Sequence, residues 1–182
     1  MASSPKGILK QYLDLHQVYG SKYGPQTVIL MMVGSFYEIY AVINEEMNVG
    51  PDIYGLSEIL RVQVTRKTKQ TPEVSYDNPL LTGVPLDYFQ KYCTLLMKQG
   101  YTVVQVDQVT SPPNPERKVV EVHSRGTSVE GSMGTDSTFL ASVYLEVCLT
   151  ANHRRLVSVG LSAIDVGTGA NYVHRIAPTP YE

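Results

Sequence analysis

Residues 27–40 read TVILMMVGSFYEIY, and this stretch decides the fold. Thr27 to Val33 is apolar without polar alternation, the pattern of a strand buried on both faces. The run then meets Gly34, Ser35, two adjacent aromatics and a carboxylate. Successive side chains of an extended chain face opposite ways. Phe36 and Tyr37 therefore cannot both enter one core, and one of them is expected at the surface beside Glu38.

Upstream, Ile8, Leu9, Tyr12, Leu13, Leu15, His16 and Tyr19 recur at helical spacing and predict an amphipathic helix over 7–19, ended by Gly20 and Gly24-Pro25. Downstream, Asp52 is placed to cap a short helix reaching about Leu60. Arg61 to Lys67 alternates as a strand. The run LLTGVPLDYF leads into a second strong helix over 88–98, which Gly100 terminates. Strands follow at 101–109 and 117–124. The order helix, strand, helix, strand, helix, strand, strand is an α/β pattern with a mixed sheet flanked by helices.

From 126 to 138 the chain is small, polar and glycine-rich, and reads as a linker. Two strands follow, FLASVYLEVCL and LVSVGLSAIDV, with the hairpin-like TANHRR between them. A third begins at GANYVHRI. This second unit is mostly strands and looks incomplete. The expected division is 1–126, a linker over 127–137, and 138–182.

The chain has 182 residues, 43% of them hydrophobic, and a net charge of -2, so no global basic field points to a nucleic acid. Local patches remain open. The two cysteines, Cys93 and Cys148, lie in apolar runs and outside any CxxC pattern, which predicts two buried free thiols in a reducing compartment and no structural zinc. His16, His123, His153 and His174 are scattered and read as structural or exposed. The opening MASSPKG lacks the apolar core of a signal peptide, and the longest apolar run, Val28 to Val33, is too short to cross a bilayer. A soluble, intracellular protein is expected, with cytoplasm, nucleus and mitochondrion not distinguished.

An aromatic pair at a strand end is ordinarily core and rim, with the acid merely solvated. A sharper reading is a wedge. An exposed aromatic on a strand-end loop, the expected setting of Phe36, can enter a nucleic-acid groove and stack on a base. A carboxylate two residues on faces the same side and can read a base edge. Gly34 would let the backbone approach the groove closely.

At this point the residues resemble the N-terminal mismatch-recognition domain of the MutS family of DNA mismatch repair proteins. QYLDLHQVYG is similar to the family's opening helix, and MMVGSFYEIY carries its Gly-x-Phe-Tyr-Glu motif. SEILRVQVTRK, LTGVPLDYFQKYCTLLMKQGYTVVQVDQV and ERKVVEVHSRGT follow in register, and LVSVGLSAIDVGTG looks like the start of the family's RNase H-like connector domain.

The resemblance implies that Phe36 stacks on a mispaired base from the minor groove and that Glu38 hydrogen-bonds it. Whether Glu38 is protonated and donates to a base acceptor, or is ionised and repels the backbone of paired DNA, stays open. Arg66 and Lys67, after Thr65, match the family's strand-end basic pair and are expected on phosphates, with Lys69 extending the patch. Leu81 falls where the family brings an apolar side chain to the minor groove, and core packing is an equal reading for it. The implied partner is double-stranded DNA with mismatches or small loops, and the implied full-length state a dimer.

The stretches NEEMNVGPDIYG, KTKQTPEVSYDNP and SPPNPER look more like the branch found in giant viruses and octocoral mitochondria, in which an ATPase and an HNH nuclease follow. No Walker A pattern and no His-rich nuclease motif occurs in the sequence. The resemblance therefore implies a non-enzymatic N-terminal fragment with no cofactor of its own, ATP and Mg belonging to an ATPase domain elsewhere.

Two rivals stand beside this. AIDVGTGA, residues 163–170, resembles the phosphate-binding turn of sugar-kinase ATPases, with Asp165 near a metal and Gly167-Thr168-Gly169 around a phosphate. A pure protein-interaction module would suit near-zero charge and 13 tyrosines.

Overall fold

The computed structural model describes residues 4–111, 113–126, 139–166 and 168–180. The linker expected at 127–137 and Gly167 of the glycine turn lie outside the described residues. The chain divides into two units, Met1–Ser124 and Arg125–Glu182.

Unit 1 contains α1 (Gly7–Tyr23), β1 (Thr27–Val33), β2 (Phe36–Ile43), β3 (Asn48–Val49), α2 (Ile53–Leu60), β4 (Thr65–Arg66), β5 (Leu80–Pro85), α3 (Phe89–Lys98), β6 (Thr102–Gln108) and β7 (Arg117–His123). The sheet order is β4-β5-β2-β1-β6-β7, with β3 paired to β2. Among the described residues only β1 and β6 run parallel; every other neighbouring pair is antiparallel, so the sheet is mixed.

Tyr40 and Tyr37, three residues apart on β2, mark the two faces. Tyr40 meets the edge of Tyr12 on α1 at 5.4 Å between ring centres, and Tyr37 meets Phe89 on α3 at 4.8 Å. Helices thus cover both faces, and Val28 to Met31 on the central β1 are fully buried, as their unbroken apolarity predicts. Each such side chain contributes about 1.5–3 kcal/mol of burial.

Local structure departs from expectation in four places. The first helix continues past Gly20 to Tyr23 and stops only where Gly24 adopts φ +96. The residues from Phe36 onward are not a loop but an eight-residue strand. Arg61 does not begin a strand: it caps α2 in a left-handed conformation, which leaves Thr65–Arg66 as a two-residue strand. LLTGVP is itself a sheet strand, β5, tied to β2 along its length. Asp52 does cap α2, accepting from the Gly55 amide at 3.1 Å.

Unit 2 is a three-stranded antiparallel sheet, β8 (Phe139–Leu149), β9 (Arg155–Asp165) and β10 (Asn171–Pro180), with β9 in the middle. The register of β10 on β9 shifts between Ile176 and Thr179, and the strand runs on past the expected GANYVHRI to Pro180. Among the described residues no helix is long and apolar enough to cross a membrane.

Candidate nucleic-acid interface

The site begins with a turn. Met32 pairs with Tyr37 and Val33 with Phe36, so Gly34 and Ser35 alone reverse the chain between β1 and β2. Gly34 sits at φ +59. Two-residue hairpins need positive φ at their first central position, where an L side chain is strained. The glycine is therefore fixed by the turn itself.

Strand alternation then sorts the aromatic pair. Phe36 is 46% exposed at the strand mouth, whereas Tyr37 is 5% exposed and faces α3. The phenol of Tyr37 is held firmly: it donates to Asp107 Oδ1 at 2.5 Å and accepts from Gln105 Nε2 at 2.8 Å. Gln105 in turn meets His123 Nε2 at 3.1 Å, and the His123 ring lies edge-on to Phe89. Burial and then the Asp107 carboxylate push the Tyr37 phenol far above its ordinary pKa, so it stays a neutral donor.

Glu38 shares the face of Phe36 and is half-buried. Its Oε2 accepts from the Tyr40 hydroxyl, two residues on along the same face. Tyr40 is buried, and desolvation together with this carboxylate raises its pKa strongly, which keeps the proton on the phenol. Across the sheet Glu38 lies opposite Gly83. A Cβ on Gly83 would stand 2.8 Å from the Tyr37 carbonyl oxygen and 3.4 Å from the Glu38 Cγ. Glycine there lets Glu38 lie close over the neighbouring strand. The sequence shows Gly83 only as part of a motif; the cross-strand register supplies its reason.

Glu38 and Tyr40 open into a cleft of about 550 Å³ whose walls include Val33, Lys67 and Leu81. The register brings them there: Tyr40 pairs with Leu81, Leu81 with Thr65, and Lys67 follows Thr65 on the same face, its amide donating to Pro79 O at 3.2 Å. Leu81 is half-buried at the cleft, so both readings of it hold in part.

Arg66 does not join this group. It lines a smaller recess of about 360 Å³ together with Thr65, Lys69 and Tyr54. Its Nε is buried without a hydrogen-bond partner among the described residues. The expected basic pair is thus divided between two recesses, Lys67 in the larger and Arg66 in the smaller.

Thr168 donates its hydroxyl to Asp165 Oδ2 at 2.8 Å, and the Gly169 amide donates to the Asp165 carbonyl at 2.7 Å. No cluster of metal-ligating side chains occurs among the described residues. The thiols also differ from expectation: Cys93 is buried but Cys148 is exposed.

Comparison with known proteins places this geometry. The family model described as MutS domain I matches residues 6–132. A mutS homolog of Acanthamoeba polyphaga mimivirus, named for DNA mismatch repair, is 28% identical over 96% of this chain and 16% of its own length. The DNA mismatch repair protein MutS of Streptococcus pneumoniae serotype 19F (strain G54) is 29% identical over 91% of this chain and 17% of its own. The DNA mismatch repair protein HexA of S. pneumoniae serotype 4 matches to the same extent. The chain thus spans about a sixth of the length of these relatives. With more than half of its residues matched, and a mixed sheet flanked by helices as its first unit, the chain belongs to the MutS domain I family.

Proposed function

We propose that unit 1 recognises mismatched double-stranded DNA in mismatch repair. One observation carries the reading: Phe36 is exposed at the mouth of a two-residue hairpin while Tyr37, its neighbour, is held inward. An exposed aromatic does nothing for the core at that position. It is placed to enter the minor groove and stack on a mispaired base, and Glu38, on the same face, reaches the base edge.

The energetics favour damaged pairing. Opening a base step costs a few kcal/mol, and a mismatched step costs less. Phosphate contacts supply most of the affinity without reading sequence. Lys67, beside Glu38, ranks first among them, with Arg66, Lys69 and Thr65 forming a second contact area on the neighbouring recess. Any ATP- or Mg-dependent step, HNH cleavage or dimerisation belongs, on this reading, to parts other than these two units. The names of the relatives support the repair role.

Fluorescence anisotropy with matched and mismatched duplexes tests the proposal. Phe36→Ala should remove about tenfold or more of the mismatch preference, since stacking on one base is worth about 1–3 kcal/mol. Lys67→Ala should weaken both duplexes alike and flatten the salt slope by about one. Undiminished preference in Phe36→Ala would refute the wedge.

A further inference from the structure

Gly34, Ser35 and Phe36 are all exposed, so Tyr37 is the first buried side chain behind the wedge. A ring that must slide between bases has to be held to within about 0.5 Å and 10–20°. How firmly Tyr37 is anchored therefore sets how well Phe36 is aimed. That anchor crosses the sheet. The Tyr37 side chain, on β2, reaches over β1 to Asp107 and Gln105 on β6, and Gln105 reaches on to His123 on β7. Phe89 of α3 closes the group, its ring centre 4.8 Å from that of Tyr37 and 5.5 Å from that of His123.

Donor and acceptor chemistry fixes the direction of each bond. A carboxylate only accepts, so the Tyr37 hydroxyl donates its one proton to Asp107. The Tyr37 oxygen and both Asp107 oxygens then face the Gln105 nitrogen, at 2.8, 3.1 and 3.1 Å, where the amide NH₂ must sit. Its carbonyl oxygen is left to His123 and can only accept, so His123 Nε2 carries a hydrogen. Among the described residues Asp107 has no ion-pair partner, and neutral donors from Tyr37 and Gln105 hold it. Gln105 thus joins Tyr37, Asp107 and His123.

We propose that Gln105 is a positioning residue for mismatch discrimination: without touching DNA it holds the Tyr37 ring, and with it the hairpin tip that presents Phe36, while His123 fixes the orientation of its amide. This rests on the wedge reading of Phe36. A matched duplex, which the wedge does not enter, does not need the aim. The effect therefore falls on preference and spares overall affinity.

The test sets the whole chain beside Gln105→Leu and Gln105→Glu on matched and mismatched duplexes. Gln105→Leu should lower mismatch preference about fivefold at every pH, the worth of one hydrogen bond, and leave matched binding within about twofold. Gln105→Glu puts a second carboxylate against Asp107, and two like charges there raise the pKa of the pair. At about pH 8 the new acid cannot donate to Tyr37, so preference should fall as in Gln105→Leu. Towards about pH 5.5 a shared proton restores the donor, and preference should return to within about twofold of the unsubstituted chain at the same pH. The other titratable groups on this side are His123, Glu121 at 3.8 Å from it, and Lys118 opposite Asp107, all on β7, and Cys93 on α3. They are common to the three chains, as is Glu38, so the comparison cancels them. Preference unchanged in both variants, equal losses on both duplexes, or a loss in Gln105→Glu that ignores pH would overturn the proposal. A further measurement needs no substitution. Imidazole ¹⁵N–¹H spectra should show His123 with its hydrogen on Nε2; the Nδ1–H tautomer would overturn the proposal even where a variant fails to fold. If Phe36→Ala keeps full mismatch preference, the wedge reading fails. If Phe36→Ala loses it while both Gln105 variants keep it, only the positioning inference fails.

Discussion

Strand β1 of unit 1 and strand β8 of unit 2 are written in the same apolar alphabet, yet they meet opposite environments. TVILMMV is buried at its first five positions, whereas all eleven residues of FLASVYLEVCL are exposed. In β8 the register sets Val143, Leu145 and Val147 on one face with Leu161, Val159 and Val157 of β9. The difference is the layer above the sheet. Unit 1 lays α1 over one face and α3 over the other; the described residues of unit 2 form a sheet and no helix. Burial is thus a property of layers, not of strand composition.

The widest gap between the two units should appear in their thiols. Burial pushes Cys93 up to about 12, so at pH 8 only about one molecule in 10⁴ carries its thiolate. Cys148 is exposed. Alkylation followed by mass spectrometry should label one site in the native chain and two in denaturant; equal native rates would break the comparison. The sign of the pH effect follows. The neutral Cys93 thiol is favoured in the folded chain, so its contribution is complete below about pH 9 and is lost as pH rises towards 12.

Side-chain truncation should show the next largest contrast. Leu30→Ala in β1 should cost about 2–5 kcal/mol, while Leu145→Ala in β8 should stay within about 0.5 kcal/mol. Urea titration of each variant measures this, and a large loss at Leu145 would reveal a covering layer. The same contrast recurs between two neighbours. Tyr37→Ala should destabilise unit 1 by about 3 kcal/mol, and Phe36→Ala should leave the melt nearly unchanged. Reversed melts would mean that the strand faces are exchanged.

The smallest effect should come from Tyr40→Phe. It removes one hydroxyl without changing the ring's packing on Tyr12, and should cost about 1 kcal/mol. Glu38 would lose the donor that holds it, so mismatch preference should shift a few-fold while matched binding stays constant. Binding unchanged on both duplexes would show that Tyr40 does not position the acid.

Much of this was legible in the residues. Helical spacing located α1 and α3, unbroken apolarity located β1, and alternation required Phe36 and Tyr37 to part. The strand β2 was hidden because Gly34-Ser35 looks like the start of a loop, when it is the whole of one. The strand β5 was hidden because Gly83 and Pro85 are weak strand formers; cross-strand contact with β2 overrides that propensity. The division of Arg66 from Lys67 was not legible, because β4 ends at Arg66 and Lys67 is placed by its amide bond to Pro79 O, a long-range contact. No local pattern could bring Lys67 and Leu81 to Glu38, since that depends on pairing across three strands.

The two-residue turn at Gly34-Ser35 has a consequence for how such a chain can diverge. Inserting one residue between Gly34 and Phe36, so that β2 slides by one register position, would exchange the two aromatics, sending Tyr37 outward and Phe36 towards Asp107. Substitutions here alter a reader by degrees; a change of length inverts it. The stretch at 68–77 belongs to no strand of the sheet, carries no such parity and can lengthen at small cost. Variation in this lineage should therefore accumulate as loop growth around a hairpin of constant length.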